Sequence, residues 1–302
     1  MSVGTRLTRT WSTLLGRDVP APPPRPDADP FLEWVPAGHF YSIVPGPDDV
    51  ARAKARMAAA GPTLPGIDLT PDGLVAGFRE RAALVRDWDG GAAGTTRYGP
   101  NEAFGIGDAS MLRATILLSR PRRIIEVGSG WSSACTLDTL DEAGLDTAVT
   151  FIEPYPENLY ARLRPADRDR VEIRVEPLQA VPTEVFSSLS PGDILFIDSS
   201  HVFKPGSDVD DYFDRVLPAV PVGVHVHIHD IFWPFEVPVA WLDEGRGWNE
   251  GHALRNFLYG NAAWEVTVFN DYFLWFKADV IEAELPQVLR NPGGSVWLRR
   301  VG

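Results

Sequence analysis

Between Arg123 and the C-terminus the chain passes through eight short apolar runs: RIIEV, AVTFIE, VEIRV, DILFID, VHVHIHD, WEVTVF, DYFLWF and SVWLRR. Helical stretches separate the early runs, whereas the last ones follow each other closely. Strands buried on both faces read as continuous apolar runs, and helices between them supply the crossovers that parallel strands need. The pattern predicts an α/β fold with a Rossmann-like, doubly wound, mostly parallel seven-stranded sheet and antiparallel pairing at one edge.

The first third of the chain is organised differently. Residues 20–30, PAPPPRPDADP, carry too much proline for helix or sheet, so residues 1–30 read as an extended, flexible peripheral arm. Residues 31–95 read as an N-terminal cap, made of a Pro/Gly-broken aromatic segment and helices over 48–60 and 70–88. A third helix is expected over 108–118, with Asp108 as its N-cap and Pro121 ending it. Residues 96–302 then form the α/β domain, and 302 residues suffice for one elaborated core with this appendage.

Charge narrows the function. Lys and Arg number 28 against 41 Asp and Glu, a formal net charge of −13, and a field of that sign repels phosphate backbones and anionic lipid. Nucleic acid and membrane surfaces are therefore not expected partners. The single Cys135 cannot form an internal disulfide, which fits a reducing compartment. No apolar stretch approaches the roughly 18 residues of a membrane span, and the N-terminus lacks the apolar core of a signal peptide. A cytoplasmic location is the expectation.

The first strand ends in Glu126-Val127-Gly128-Ser129-Gly130 and runs into WSSACTLDTL as the start of a helix. Glycines at such a turn allow tight geometry and close ligand approach, and the helix start offers free amides. Ser133 stands where the dinucleotide pattern has its third glycine, so NAD is weakly supported. Glu153, 23 residues after Gly130 at the end of the second strand, is suited to accept hydrogen bonds from two ribose hydroxyls. A merely tight turn and a solvated strand-end carboxylate are the competing readings.

These features together resemble the class I S-adenosylmethionine-dependent methyltransferases. The likeness covers about residues 98–302 and implies S-adenosylmethionine as cofactor. Glu126, Gly128, Ser129 and Gly130 would form its turn, Glu153 its ribose contact and Gln179, near the third strand, its adenine contact.

The fourth strand places Asp198 at its end with His201 three residues on, and the fifth ends in His229 and Asp230. Ligands of open α/β sheets bind outside the carboxyl ends of strands, so these four side chains should converge. Two carboxylates and two imidazoles make a credible divalent cation site. The arrangement is similar to the metal-assisted small-molecule O-methyltransferases that act on sugars and antibiotics. That resemblance implies Asp198 and Asp230 as metal ligands and His201 as general base. His229 stands where the family has a carboxylate, and imidazole suits Mn²⁺, Fe²⁺ or Zn²⁺ better than Mg²⁺.

His225 and His227 share a strand face with His229, and are expected to be satisfied by neighbouring helices. Trp233, Phe235, Trp241 and Trp248 read equally as a substrate wall or as core, and Phe40 and Tyr41 as a further cover. The expected reaction is methyl transfer to a hydroxyl of a small molecule. Metal-free N- or carboxyl-methylation, a non-catalytic binding protein, and a homo-oligomer stay open.

Overall fold

The computed structural model describes residues 35–36, 38–91, 96–101 and 103–302, so the proline-rich arm lies outside the described residues. Two compact units divide between Ala51 and Arg52. In the smaller, a turn closes from Gly38 N to Val44 O, and the rings of His39, Phe40 and Tyr41 lie against one another. The larger unit takes in everything after it. The expected boundary at 95/96 therefore does not coincide with a break in packing.

Five helices of nine residues or more are seen among the described residues: α1 (Pro47–Ala58), α2 (Pro71–Val85), α3 (Ile106–Ser119), α4 (Trp131–Ala143) and α5 (Glu250–Leu258). α1 starts on a proline, with Asp48 and Asp49 in its first turn and Arg56 in its last, which matches the helix dipole. α2 buries Leu74, Phe78, Ala82 and Val85, a helical stripe that packs on α3 and the sheet.

α3 begins two residues before its expected start, with Gly105 as N-cap. Asp108 is thus inside the first turn. Its carboxylate is buried and accepts from Asn270 Nδ2 (2.9 Å), Ser295 Oγ (2.6 Å) and Gly294 N (3.1 Å), so it ties α3 to the far sheet edge. A residue that reads as a local cap is spent on tertiary contacts.

The sheet has seven strands in the order β3-β2-β1-β4-β5-β7-β6. These are β1 (Arg123–Val127), β2 (Ala148–Ile152), β3 (Val171–Arg174), β4 (Ile194–Ile197), β5 (His225–His229), β6 (Trp264–Phe269) and β7 (Ser295–Arg300). β1 to β5 pair in parallel, and β7 enters antiparallel to both β5 and β6. The strand order reverses direction between β1 and β4, where a parallel sheet leaves its crevice.

The seventh apolar run, DYFLWF, is not a strand. It lies in a helix, Asn270–Phe276, because a short apolar run fits a buried helix as well as a strand. Asp271, in its first turn, accepts a hydrogen bond from the backbone of Trp233 at 2.8 Å, which fixes the helix under the segment after β5.

The histidines of β5 correct a second expectation. Among the described residues, neither ring nitrogen of the fully buried His227 has a hydrogen-bond partner, nor does Nδ1 of His225. Instead the His227 ring lies flat on Phe196, centroids 4.0 Å apart, with Trp297 edge-on at 4.8 Å. Burial drives its pKa far down, so it is a neutral aromatic slab in the core.

Candidate active site

β1 and β4 pair in register from Ile124–Ile194 to Val127–Ile197, which brings the turn after β1 against the first residue after β4. Gly128 has φ 74° and a Cβ there would lie 2.0 Å from the Asp198 carbonyl oxygen, so glycine is required by backbone packing between the two tips. Around Gly130 a Cβ would meet nothing within 4 Å, which leaves room for a ligand. The two glycines of one motif therefore serve different purposes.

Glu126 is fully buried beneath this turn. Its Oε1 accepts from Ser132 Oγ (2.6 Å) and Ser133 Oγ (2.8 Å), while Oε2 is buried without a partner. Burial pushes its pKa up to about 8, against the pull of the two serine hydroxyls. A buried carboxyl with one oxygen unmatched has room for one more hydrogen-bond donor. Glu153 caps the turn: its Oε2 accepts from Ser129 N (3.0 Å) and its Oε1 from Tyr155 N (2.8 Å). Both oxygens keep a lone pair for a further donor. Gln179 is exposed in the turn after β3 and donates to the Gly206 carbonyl at 2.8 Å; among the described residues it shares no partner with Glu126 or Glu153.

Asp198, His201, His229 and Asp230 do converge. Nε2 of His201 lies 3.4 Å from Asp198 Oδ1 and 3.5 Å from Asp230 Oδ2, and His229 Nε2 is 3.7 Å from Asp230 Oδ1. Both His201 and Asp230 adopt left-handed backbone, φ 61° and 53°, a conformation that costs non-glycine residues energy and clusters at functional sites.

Charge at this tip is strongly coupled. Burial works against a charged His201, but the hydrogen bonds of Asp198 and Glu250 outweigh it and raise its pKa to about 10. Burial would lift Asp198 too, yet the His229 and His201 charges hold it below its ordinary value. Asp230 is pushed up to about 6 by burial, although both histidines oppose this. For His229, burial is overcome by Asp198, Asp108 and Asp230, and its pKa rises.

The sequence reading missed Glu250. This carboxylate, 2% exposed, accepts from His201 Nδ1 at 2.7 Å, from Tyr212 OH at 2.6 Å and from Ser199 Oγ at 2.7 Å. It lies in no motif, within WNEGH at the start of α5, and an acid amid aromatics was its one visible cue. The aromatic segment divides: Trp233 and Phe235 are core, whereas Trp241 and Trp248 are half-buried. Trp248 lies over the His201 ring at 4.4 Å, and Arg246 lies over both tryptophans.

Among the described residues, no group of three or more His, Cys, Asp or Glu side chains is arranged to hold a metal ion. Asp198 and Asp230 are instead a carboxylate pair facing one imidazole. Such a pair matches the way Mg²⁺ is commonly held, by one or two carboxylates with water and substrate oxygens completing the shell.

A parallel sheet whose order reverses, a glycine turn over a buried acid and an acidic second tip give a Rossmann-like α/β domain with a ligand crevice at its strand tips. Residues 125–231 match the profile of a family described as a methyltransferase domain. An uncharacterized protein of Archaeoglobus fulgidus is 29% identical over 180 residues, which cover 57% of this chain and 79% of that protein. Among solved structures, the O-methyltransferase TomG of Streptomyces achromogenes, involved in tomaymycin synthesis, is 19% identical with a TM-score of 0.44, over 76% of this chain and 90% of that one. The methyltransferase PaMTH1 of Podospora anserina is 17% identical with a TM-score of 0.41, over 86% of this chain and 99% of that one. No helix among the described residues is long and apolar enough to cross a membrane.

Proposed function

We propose that this methyltransferase acts on a hydroxyl of a small molecule, with His201 as general base and Asp198 and Asp230 as ligands of a divalent cation. The observation that carries the reading is the His201–Glu250 pair: Nδ1 is engaged at 2.7 Å by a buried carboxylate, which leaves Nε2 directed at the Asp198 and Asp230 oxygens beside the glycine turn. A carboxylate on one ring nitrogen fixes tautomer and orientation, so that the other nitrogen can exchange a proton with substrate.

When bound, S-adenosylmethionine supplies a methyl group on a positively charged sulfur. Glu126, Gly128, Ser129, Gly130 and Glu153 would bind it, with Gln179 at the adenine end. A divalent cation, when bound, acidifies the hydroxyl and stabilises the developing alkoxide. His229 adds an imidazole beside Asp230, a mixed donor set that admits Mn²⁺ or Fe²⁺ as well as Mg²⁺.

The residues' own part is proton management. Against burial, Asp198 and Glu250 together let His201 hold its proton up to about pH 10, so that it cannot accept another. Positive charge beside the two aspartates withdraws that stabilisation, lowers the imidazole pKa and frees Nε2 as the acceptor. As the C–O bond forms and the C–S bond breaks, the hydroxyl proton passes to Nε2, and Glu250 stabilises the imidazolium. The products are the methyl ether and S-adenosylhomocysteine.

A metal-free transfer to nitrogen or carboxyl oxygen is the alternative, favoured because among the described residues Asp198, His229 and Asp230 are not arranged as a preset metal-holding group. The separating experiment follows S-adenosylhomocysteine release across a panel of hydroxylated and amine acceptors, with EDTA and then with Mg²⁺ or Mn²⁺ restored. Transfer to hydroxyls that stops in chelator supports the proposal; undiminished transfer to amines in EDTA would overturn it.

A further inference from the structure

A groove of about 720 Å³ opens beside the tip, between α1, the segment after it and α5. That volume falls in the range of small-molecule sites, roughly 300–1,000 Å³. Part of its lining is apolar, with Ala53, Met57, Leu64, Pro65 and Phe235. The charged and polar part includes Arg56, Glu236, His252 and Arg255.

The charge of that lining can be balanced residue by residue. Glu236 is 9% exposed and already matched, by His252 Nε2 at 3.1 Å, Arg56 at 3.5 Å and the Val237 amide at 3.3 Å. It therefore offers no unmet negative charge to a cationic ligand. Arg255 is exposed on α5 and has no carboxylate partner among the described residues. Two arginines against one compensated acid leave the lining positive, in a chain whose formal charge is −13. Against that background a positive, apolar-backed cleft is a local attractor for anions.

The groove lies next to the reaction centre. Phe235, Glu236 and His252 line both the groove and a second, narrow cavity of about 10 Å³, whose lining also includes Asp230 and Trp248. That is space for about one water, so these three side chains stand between the groove and the Asp230 tip. Trp248, which lines that cavity, lies over His201.

We propose that the groove takes the acceptor, and that the acceptor is an amphipathic anion. Its apolar body would lie against Met57, Leu64 and Phe235, its carboxylate or similar group on Arg255 and Arg56, and its hydroxyl end toward Glu236 and His252, the side chains shared with the cavity at Asp230. Arginine is suited to this because its planar fork grips an anionic oxygen pair and stays charged. That the ligand is the acceptor rests on the methyl-transfer reading above; its amphipathic, anionic character rests on the groove alone.

The test uses the full chain and two fluorescent probes of similar shape, anionic anilinonaphthalene sulfonate and neutral N-phenylnaphthylamine. Arg56→Gln/Arg255→Gln is expected to weaken the anionic probe at least about tenfold while the neutral one is held as before, the loss following from removal of charge-assisted contacts. Ala60→Trp, which fills the groove from its rim, is expected to weaken both. Unchanged sulfonate affinity in the double variant, or unchanged affinity of both probes in Ala60→Trp, would overturn the proposal. S-adenosylhomocysteine binding is measured on the same samples by calorimetry. Its absence from the wild type would count against the methyl-transfer reading, and so against the ligand's being the acceptor, whatever the probes report.

Discussion

Nδ1 of His201 donates to Oε2 of Glu250 across 2.7 Å, and the other oxygen of that carboxylate is held by Tyr212 and Ser199. Three donors on one buried carboxylate leave it little freedom, so the imidazole inherits its orientation from β4's following loop, α5 and the helical turn that carries Tyr212. The His201 carbonyl strengthens the link by accepting from the amides of Asn249 and Glu250, at 3.1 and 3.3 Å.

Glu250→Gln removes a charge that raises the His201 pKa and weakens the grip on Nδ1. The His201 titration, followed by NMR, should move down from about 10, because one of its two carboxylate hydrogen bonds is lost. Turnover should fall at least about tenfold, with S-adenosylhomocysteine affinity unchanged. Glu250→Asp should restore part of both effects, which a purely structural role for Glu250 would not require.

His201→Ala should lower turnover at least about a hundredfold, the lower end for a lost general base, and leave cofactor binding nearly intact. The stability effect carries a sign. The imidazole pKa is raised by folding from 6.5 to about 10, so its charge stabilises the fold fully below about pH 6.5 and ceases to as pH rises through about 10. The melting-temperature gap between wild type and variant should therefore be widest near pH 6 and shrink toward pH 10. A gap that widens with pH would contradict the assigned charge state.

Gly128→Ala should destabilise the fold by about 3 kcal/mol, because left-handed backbone and a collision with the Asp198 carbonyl add. Gly130→Ala has open space and ordinary backbone cost, so its stability should stay within about 1 kcal/mol of wild type. What it should lose is cofactor affinity. Chemical denaturation and calorimetry on the two variants separate these roles.

How far the sequence reaches is clear from where it fails. Strand count, sheet class and the convergence of Asp198, His201, His229 and Asp230 were legible, because apolar runs report burial and strand ends of a parallel sheet share one edge. Glu250 was not, since its partner lies 49 residues away and no local pattern announces a tertiary hydrogen bond. Asp108 failed the opposite way: it has the chemistry of a cap, but Gly294, Ser295 and Asn270 claim it. His227 escaped the rule that buried polar groups are paired because stacking on Phe196 treats its ring as apolar surface.

Chelation addresses the Asp198–Asp230 pair directly. Two carboxylates that face one imidazole at 3.4 and 3.5 Å repel each other unless a positive charge lies between them, and in the unliganded pair His201 supplies it. A divalent cation would take over that role and release the imidazole proton. Adding Mg²⁺ or Mn²⁺ to metal-stripped protein at pH 8 should therefore release protons into a weakly buffered solution, a readout independent of turnover. Asp198→Asn and Asp230→Asn should each abolish that release and cut turnover at least about tenfold, and EDTA should reproduce the loss in wild type. Full turnover in EDTA, without proton release on metal addition, would leave the two aspartates as the counter-charge of a permanently protonated His201 and remove the base from the mechanism.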